Sequence, residues 1–236
     1  MRTVAVVLAA GSGSRFGSTG PKQLRLLGGR TLIEHCVQAF DRAPGVDQVL
    51  VVTTADLEEQ VRRDLSSVAK VVAVIQGGVS RTDSTKRALA WLGDTPADVK
   101  VLFHDAARPL VDQRIIADCV AALDHWQAIS VVVPTADTIV EVADGTIQRV
   151  LPRHTLARCQ TPQGFKLSVI TRAYERAACD PAFATTPATD DCGVVLRYLP
   201  EVTIGAVSGS ERNLKITYAD DLAIARALIG PAHDAG

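Results

Sequence analysis

Short apolar runs alternate with amphipathic stretches along most of this chain. The runs TVAVVLA (3–9), QVLVVT (48–53), KVVAVI (70–75), KVLFH (100–104), ISVVVP (129–134) and VTIGAV (202–207) predict strands. They are continuous rather than alternating, as expected of strands covered on both faces. Helices are predicted between them at 31–42, 56–65, 81–92, 112–123, 166–178 and 217–229. Thr31 and Glu34 have capping-box spacing, Glu58–Arg62 and Glu59–Arg63 lie four residues apart, and Thr217 and Asp220 sit where the last helix is capped. Strand–helix alternation of this kind predicts an α/β fold. A mostly parallel, twisted, Rossmann-like sheet would carry helices on both faces.

One segment departs from the pattern. DTIVEVADGTIQRVLPR (137–153) holds two short β runs around Asp144-Gly145, a strong hairpin signal. It carries little apolar mass, so it is expected to project as an arm at about 135–155 from a single domain spanning 1–230. An isolated hairpin is marginal in water. Support from a second copy of the chain is expected, giving a homodimer through the arm. Residues 231–236 are expected to be a disordered tail.

Composition narrows the function. At 236 residues the chain can bury a large core without staples. Aromatics make up 4% and the net charge is −1, which argues against a nucleic-acid partner. Any phosphate must meet positive charge that is concentrated locally. The five cysteines are widely spaced with no CxxC, so they are expected to be small hydrophobes in a reducing compartment. No apolar run approaches the roughly 18 residues of a membrane span, and the opening run is too short for a signal peptide. A cytoplasmic protein without membrane contact is expected.

The first strand leaves through LAAGSGSRFGSTGPKQL (8–24), with glycines at 11, 13, 17 and 20 and cations at Arg15 and Lys22. A glycine loop lets consecutive N–H groups approach an anion, and two cations beside them point to a polyphosphate. Phe16 occupies the third glycine position of a dinucleotide fingerprint, and no Walker A pattern is present.

The pattern AAGSGSRF with PKQL resembles the signature of sugar-nucleotide-type nucleotidyltransferases. With RTDS (81–84), HDAARP (104–109), QTPQGF (160–165) and NLKIT (213–217), the chain resembles the 2-C-methyl-D-erythritol 4-phosphate cytidylyltransferase family over residues 3–229. The ribitol 5-phosphate cytidylyltransferases are close relatives. The resemblance implies an enzyme of isoprenoid-precursor synthesis that joins CTP, as co-substrate, to a polyol phosphate and releases pyrophosphate, with Mg²⁺. The acceptor's own phosphate is the nucleophile. Its second pKa lies near ~6, so no protein base is needed. That fits the absence of any Ser-His-Asp, Cys-His or paired-Glu arrangement.

By the same resemblance, Arg15 and Lys22 face the leaving pyrophosphate, and Lys215 contacts the α-phosphate and stabilises the transition state. Nucleotide contacts are implied at Ala9, Ala10, Gly11, Ser12, Gly13, Gly78, Ser84, Asp105 and Ala106. Asp105 is also implied as the Mg²⁺ ligand and a partner of the acceptor hydroxyls. Arg108 has two readings, acceptor phosphate or ion pair with Asp105. Thr138, Arg153, Thr161 and Thr189 are implied as acceptor-binding, with Thr138 and Arg153 on the arm and able to reach a partner subunit. His104 reads as a structural hydrogen-bonding residue, and Thr189 as a helix cap as well. The paired glycines 77–78 permit close approach to a flat base. Family members often have a polar or acidic residue after them, whereas this chain has Val79.

RTDS and HDAARP lean toward methylerythritol phosphate as acceptor, while TDDCGVV (189–195) and ADTIVE (136–141) look closer to the ribitol type. Methylerythritol phosphate is the expected acceptor. A third reading, an inactive nucleotide-binding module, would be expected to have lost one of Arg15, Lys22, Asp105 or Lys215, and all four are present.

Overall fold

The first strand carries two cores on one backbone. Val4, Val6 and Leu8 point into one apolar cluster and Ala5 and Val7 into another, as side chains alternate across a strand. This computed structural model describes residues 1–11, 16, 20–93, 99–186 and 188–230. The sequence expectations at Ser12, Gly13 and Arg15, and the tail 231–236, lie outside the described residues.

In chain order the elements begin with strands β1 (Thr3–Leu8), β2 (Leu26–Leu27) and β3 (Arg30–Thr31) and helix α1 (Leu32–Asp41). Next come β4 (Gln48–Thr53), α2 (Glu58–Asp64), β5 (Val71–Gln76), α3 (Arg81–Trp91), β6 (Lys100–Asp105), α4 (Gln113–Ala122) and β7 (Ala128–Pro134). After them follow β8 (Val140–Ala143), β9 (Thr146–Val150), β10 (Ala157–Lys166), α5 (Leu167–Ala178), α6 (Ala182–Thr185), α7 (Asp191–Tyr198), β11 (Ile204–Ser208) and α8 (Ala219–Ile229). The main sheet has seven strands in the order β11-β7-β10-β6-β1-β4-β5. All pairings in it are parallel except those of β10, which runs antiparallel between β6 and β7. Helices α1, α2 and α4 cover one face, and α3, α5 and α7 cover the other. The mostly parallel Rossmann-like sheet with helices on both faces is therefore present.

The expected capping box of α1 forms, with Thr31 and Glu34 bonding each other's backbone N–H. At α8 the cap is displaced by one residue. The carboxylate of Asp221, not Asp220, accepts the N–H groups of Thr217 and Tyr218, at 2.7 and 2.8 Å. At α7 the N-cap is Asp190, which accepts from Gly193 N–H at 2.7 Å, rather than Thr189.

The hairpin forms where expected. Asp144 and Gly145 both have positive φ, 50° and 73°, the backbone that a two-residue primed turn needs. Strands β8 and β9 make a two-stranded sheet of their own, and Val142, Ile147 and Val150 are exposed along it.

Strand β10 and helices α6 and α7 were not anticipated from the apolar pattern. Between Ala157 and Lys166, Phe165 is a fully buried apolar side chain, while Gln160, Thr161 and Gln163 are buried polar ones. A polar strand in the middle of a sheet defeats a search for apolar runs.

Phe103 on β6 is fully buried, with its ring 6.2 Å from that of Phe165. Phe103→Ala is expected to lower stability by about 3–5 kcal/mol, read as a reduced denaturant midpoint at unchanged m-value in equilibrium unfolding.

Candidate active site

Strand β1, the neighbouring end of β6 and the start of α3 open on one side of the sheet. The carboxyl ends of parallel strands are where such sheets bind ligands. A cavity of about 260 Å³ lies there, lined by Ala9, Ala10, Gly11, Lys22, Val79, Arg81, Ser84, Asp105, Ala106 and Lys215 among others. Asp105 is the acidic residue among the described lining residues, and it faces three cations, Lys22, Arg81 and Lys215. A chain of net charge −1 thus gathers positive charge at one spot.

Asp105 ends β6, and its carboxylate is largely buried. Lys215 Nζ donates to its Oδ2 at 2.7 Å and Arg81 Nε to its Oδ1 at 3.2 Å. Burial would push this carboxyl upward, but Arg81 and Lys215, with Arg108 further off, hold it well below the usual carboxylate range. Arg81 also donates from Nη1 to Asp191 Oδ2 at 2.7 Å. Despite desolvation, Asp191 and Asp105 together keep its guanidinium more firmly protonated than usual. Asp191 is fully buried and accepts the Tyr174 hydroxyl at 2.7 Å. Burial and that carboxylate push the Tyr174 phenol upward. Arg81 and Asp191 lie in the stretches RTDS and TDDCGVV, but neither is assigned a role there. The available signal was a cation opening a helix, where the macrodipole disfavours positive charge.

Lys215 is placed by its neighbours in NLKIT. Asn213 is fully buried and donates to Gln160 Oε1 at 3.1 Å and Thr161 O at 2.9 Å. The Ile216 N–H donates to Ala107 O at 2.8 Å, and the Ile216 side chain is buried under α8. The polar strand β10 therefore anchors the loop that carries Lys215. Its Gln163 does the same for the start of α7, donating to Asp190 Oδ2 at 2.7 Å and accepting Asp191 N–H at 3.2 Å.

Arg108 does not pair with Asp105. Its Nη1 and Nη2 donate to the carbonyls of Asn213 (2.8 Å) and Cys159 (3.3 Å), while Nε is buried without a partner. It lines a second cavity of about 550 Å³, together with Arg158, Gln160, Arg212 and Lys215. Lys215 thus lies in the wall of both cavities.

His104 is fully buried. Its Nε2 meets the Arg108 carbonyl at 3.0 Å, which requires a proton there, so Nδ1 accepts the Thr161 hydroxyl at 3.0 Å. The Thr161 oxygen in turn accepts Asp105 N–H at 3.1 Å. Thr161 therefore fastens β10 to the end of β6. Arg153 and Thr138 are exposed and line neither cavity, and Arg153 donates to Ala136 O at 2.9 Å. Thr189 is exposed, next to the Asp190 cap, and also lines neither.

The loop 76–84 is fixed from within. A Cβ at Gly77 would meet Ala10 Cβ at 2.4 Å, and one at Gly78 would meet Asp83 Cβ at 2.2 Å. Ser80 and Asp83 make the capping box of α3. Ser84 Oγ accepts Gly78 N–H at 3.1 Å and donates to Ser80 O at 3.0 Å. Val79, by contrast, is fully exposed at the cavity's edge.

The family described as IspD, 2-C-methyl-D-erythritol 4-phosphate cytidylyltransferase, matches residues 3–230. The chain belongs to this family. It is similar to the 2-C-methyl-D-erythritol 4-phosphate cytidylyltransferase of Thermobifida fusca, with 47% identity over 97% of this chain and 93% of that protein. It is also similar to the Haemophilus influenzae bifunctional ribulose 5-phosphate reductase/CDP-ribitol pyrophosphorylase Bcs1, with 37% identity over 96% of this chain and 48% of that protein. In fold it resembles the solved 4-diphosphocytidyl-2C-methyl-D-erythritol synthase of Anaerococcus prevotii, with TM-score 0.84, 24% identity, and 97% and 98% of the two chains covered. As an IspD-family chain it is a nucleotidyltransferase of the cytidylyltransferase kind. Among the described residues no helix is long and apolar enough to cross a membrane.

Burial lowers the His104 pKa from its ordinary 6.5 to about 4. A base whose folded pKa is depressed loses stability as pH falls, because the unfolded chain takes up the proton first. Unfolding midpoints are expected to drop between about pH 6.5 and about pH 4. His104→Gln is expected to flatten that slope, as measured by urea titrations across the range.

Proposed function

We propose that the cavity between β1, β6 and α3 holds CTP and that the chain transfers its cytidylyl group to 2-C-methyl-D-erythritol 4-phosphate, a step in isoprenoid-precursor synthesis. An oxygen of the acceptor phosphate attacks the α-phosphorus in line. The bond to the β-phosphate breaks, and pyrophosphate leaves on the opposite side. The observation that carries the reading is Lys215, 2.7 Å from Asp105 in a wall common to two cavities, in a member of this family. A cation there faces both anions as they approach. Such preorganised charge commonly accounts for a large part of the rate.

In this reading Lys22, with the amides after β1, meets the leaving pyrophosphate. Arg15 has the same assignment from the motif alone. Ala9, Ala10 and Gly11 line the triphosphate, Gly78 and Ser84 the base and ribose, and Ala106 the nucleotide beside Asp105; Ser12 and Gly13 are assigned to the triphosphate from the motif alone. Arg108, on the acceptor side, supplies positive charge, and Thr161 and Thr189 are assigned as hydrogen-bonding hydroxyls for the acceptor. Thr138 and Arg153 act across a homodimer, where the exposed Val142, Ile147 and Val150 of the arm would be covered.

Mg²⁺ fits this donor set. Among its described lining residues the cavity offers one carboxylate, Asp105, and Mg²⁺ commonly takes one or two carboxylates with substrate phosphates and water. Asp105 would hold the ion, which would neutralise phosphate charge when bound. The cytoplasm suits the exposed free thiols of Cys159 and Cys179.

The similarity to Bcs1 supports ribitol 5-phosphate as a second acceptor reading. Pyrophosphate release from CTP and Mg²⁺ with each acceptor decides between them. Turnover with methylerythritol phosphate is expected, and turnover with ribitol 5-phosphate alone would overturn the acceptor. Lys215→Ala is expected to reduce kcat by about 10²–10³-fold while its unfolding midpoint stays close to that of the parent. In sedimentation velocity the parent is expected to run as a dimer and Ile147→Asp to shift toward monomer.

A further inference from the structure

Arg81 is the first residue of α3, a position where the helix dipole disfavours a cation. It takes no part in the capping box, which Ser80 and Asp83 make alone. Its side chain is 25% exposed, so it has also given up most of its hydration. Neither cost has a return within the helix. The return lies outside it, in a fork that bridges two carboxylates on different elements, Asp105 at the end of β6 and Asp191 at the start of α7. Asp191 is itself immobilised by the Tyr174 hydroxyl and by Gln163.

We propose that Arg81 is a positioning residue for the transfer reaction. Anchored on Asp191, it fixes the plane of the Asp105 carboxylate through Oδ1, leaving Oδ2 to face Lys215. It also shares the charge of Asp105. Without it, Lys215 would be the sole close side-chain cation on a largely buried carboxylate and would be held there more tightly. With it, Lys215 can turn to the α-phosphate without leaving an unpaired buried charge behind. A lysine cannot do the same, because a planar guanidinium engages two acceptors in fixed directions whereas an ammonium is a point charge. The inference rests on the reading above that Asp105 and Lys215 belong to the transfer site.

The test compares the parent with Arg81→Lys and Asp191→Asn, using pyrophosphate release from CTP, Mg²⁺ and methylerythritol phosphate, with thermal unfolding alongside. Arg81→Lys is expected to lower kcat by about 10–100-fold, the usual effect of losing a group that orients a ligand-binding side chain, with little change in KM for CTP. Asp191→Asn is expected to lower kcat in the same direction by less, since Arg81 remains on Asp105. A folded Arg81→Lys with kcat within about twofold of the parent, or with only KM for CTP raised, overturns the positioning role. If Arg81→Lys does not fold, Asp191→Asn decides: a lowered kcat supports the role and an unchanged one overturns it. Failure of both variants to fold makes the network structural and overturns the inference. Absence of turnover in the parent overturns the functional reading, and the inference with it.

Discussion

A carboxylate taken almost out of water is costly unless cations and hydrogen bonds compensate it. Asp105 is in that position, and the arrangement of this molecule follows from how it is compensated. Its charge lies between Arg81 and Lys215, which come from chain positions 24 residues before it and 110 after it. Its backbone N–H is held by Thr161, 56 residues away. None of these partners is local, so the pairing exists only once β6 lies inside the sheet, α3 packs on one face and NLKIT folds back across the strand ends. The sheet order, with β6 between β1 and β10, brings all three to one point.

The compensation is also lopsided in a useful way. The described part of the cavity carries three cations against one carboxylate, although the whole chain is almost neutral. A polyanion entering there meets an excess that already exists and needs little rearrangement to be felt. Buried ion pairs add little net stability against an apolar alternative. The network is therefore better understood as shaping a field than as holding the fold, which rests on the apolar clusters on either face of the sheet.

Much of this was legible in the sequence. The strands at 48–53 and 100–104 are visible because both faces are buried and their apolar runs are unbroken. The hairpin is visible because Asp144-Gly145 has a specific backbone requirement. Lys22, Asp105 and Lys215, which the motifs single out, line one cavity. The central antiparallel strand was not legible, because only Pro162 and Phe165 of its buried side chains are apolar and most are polar, namely Gln160, Thr161 and Gln163. Their amides and hydroxyl tie down the loops at 190–191 and 210–213 and the end of β6, so their polarity reflects what they hold rather than where they sit. Arg81 and Asp191 were missed for a related reason: each is ordinary among its sequence neighbours, and only the tertiary distance of 2.7 Å gives them meaning.

The crowding behind the loop at 76–84 also limits how its lineage can diversify. Positions 77 and 78 admit no side chain without collision against Ala10 and Asp83, and Ser80, Asp83 and Ser84 are committed to holding the turn. That leaves residue 79, fully open to solvent at the rim, as the place where drift can alter the mouth of the pocket while the backbone beneath stays unchanged. The valine found there is a choice the scaffold leaves open, surrounded by choices it does not.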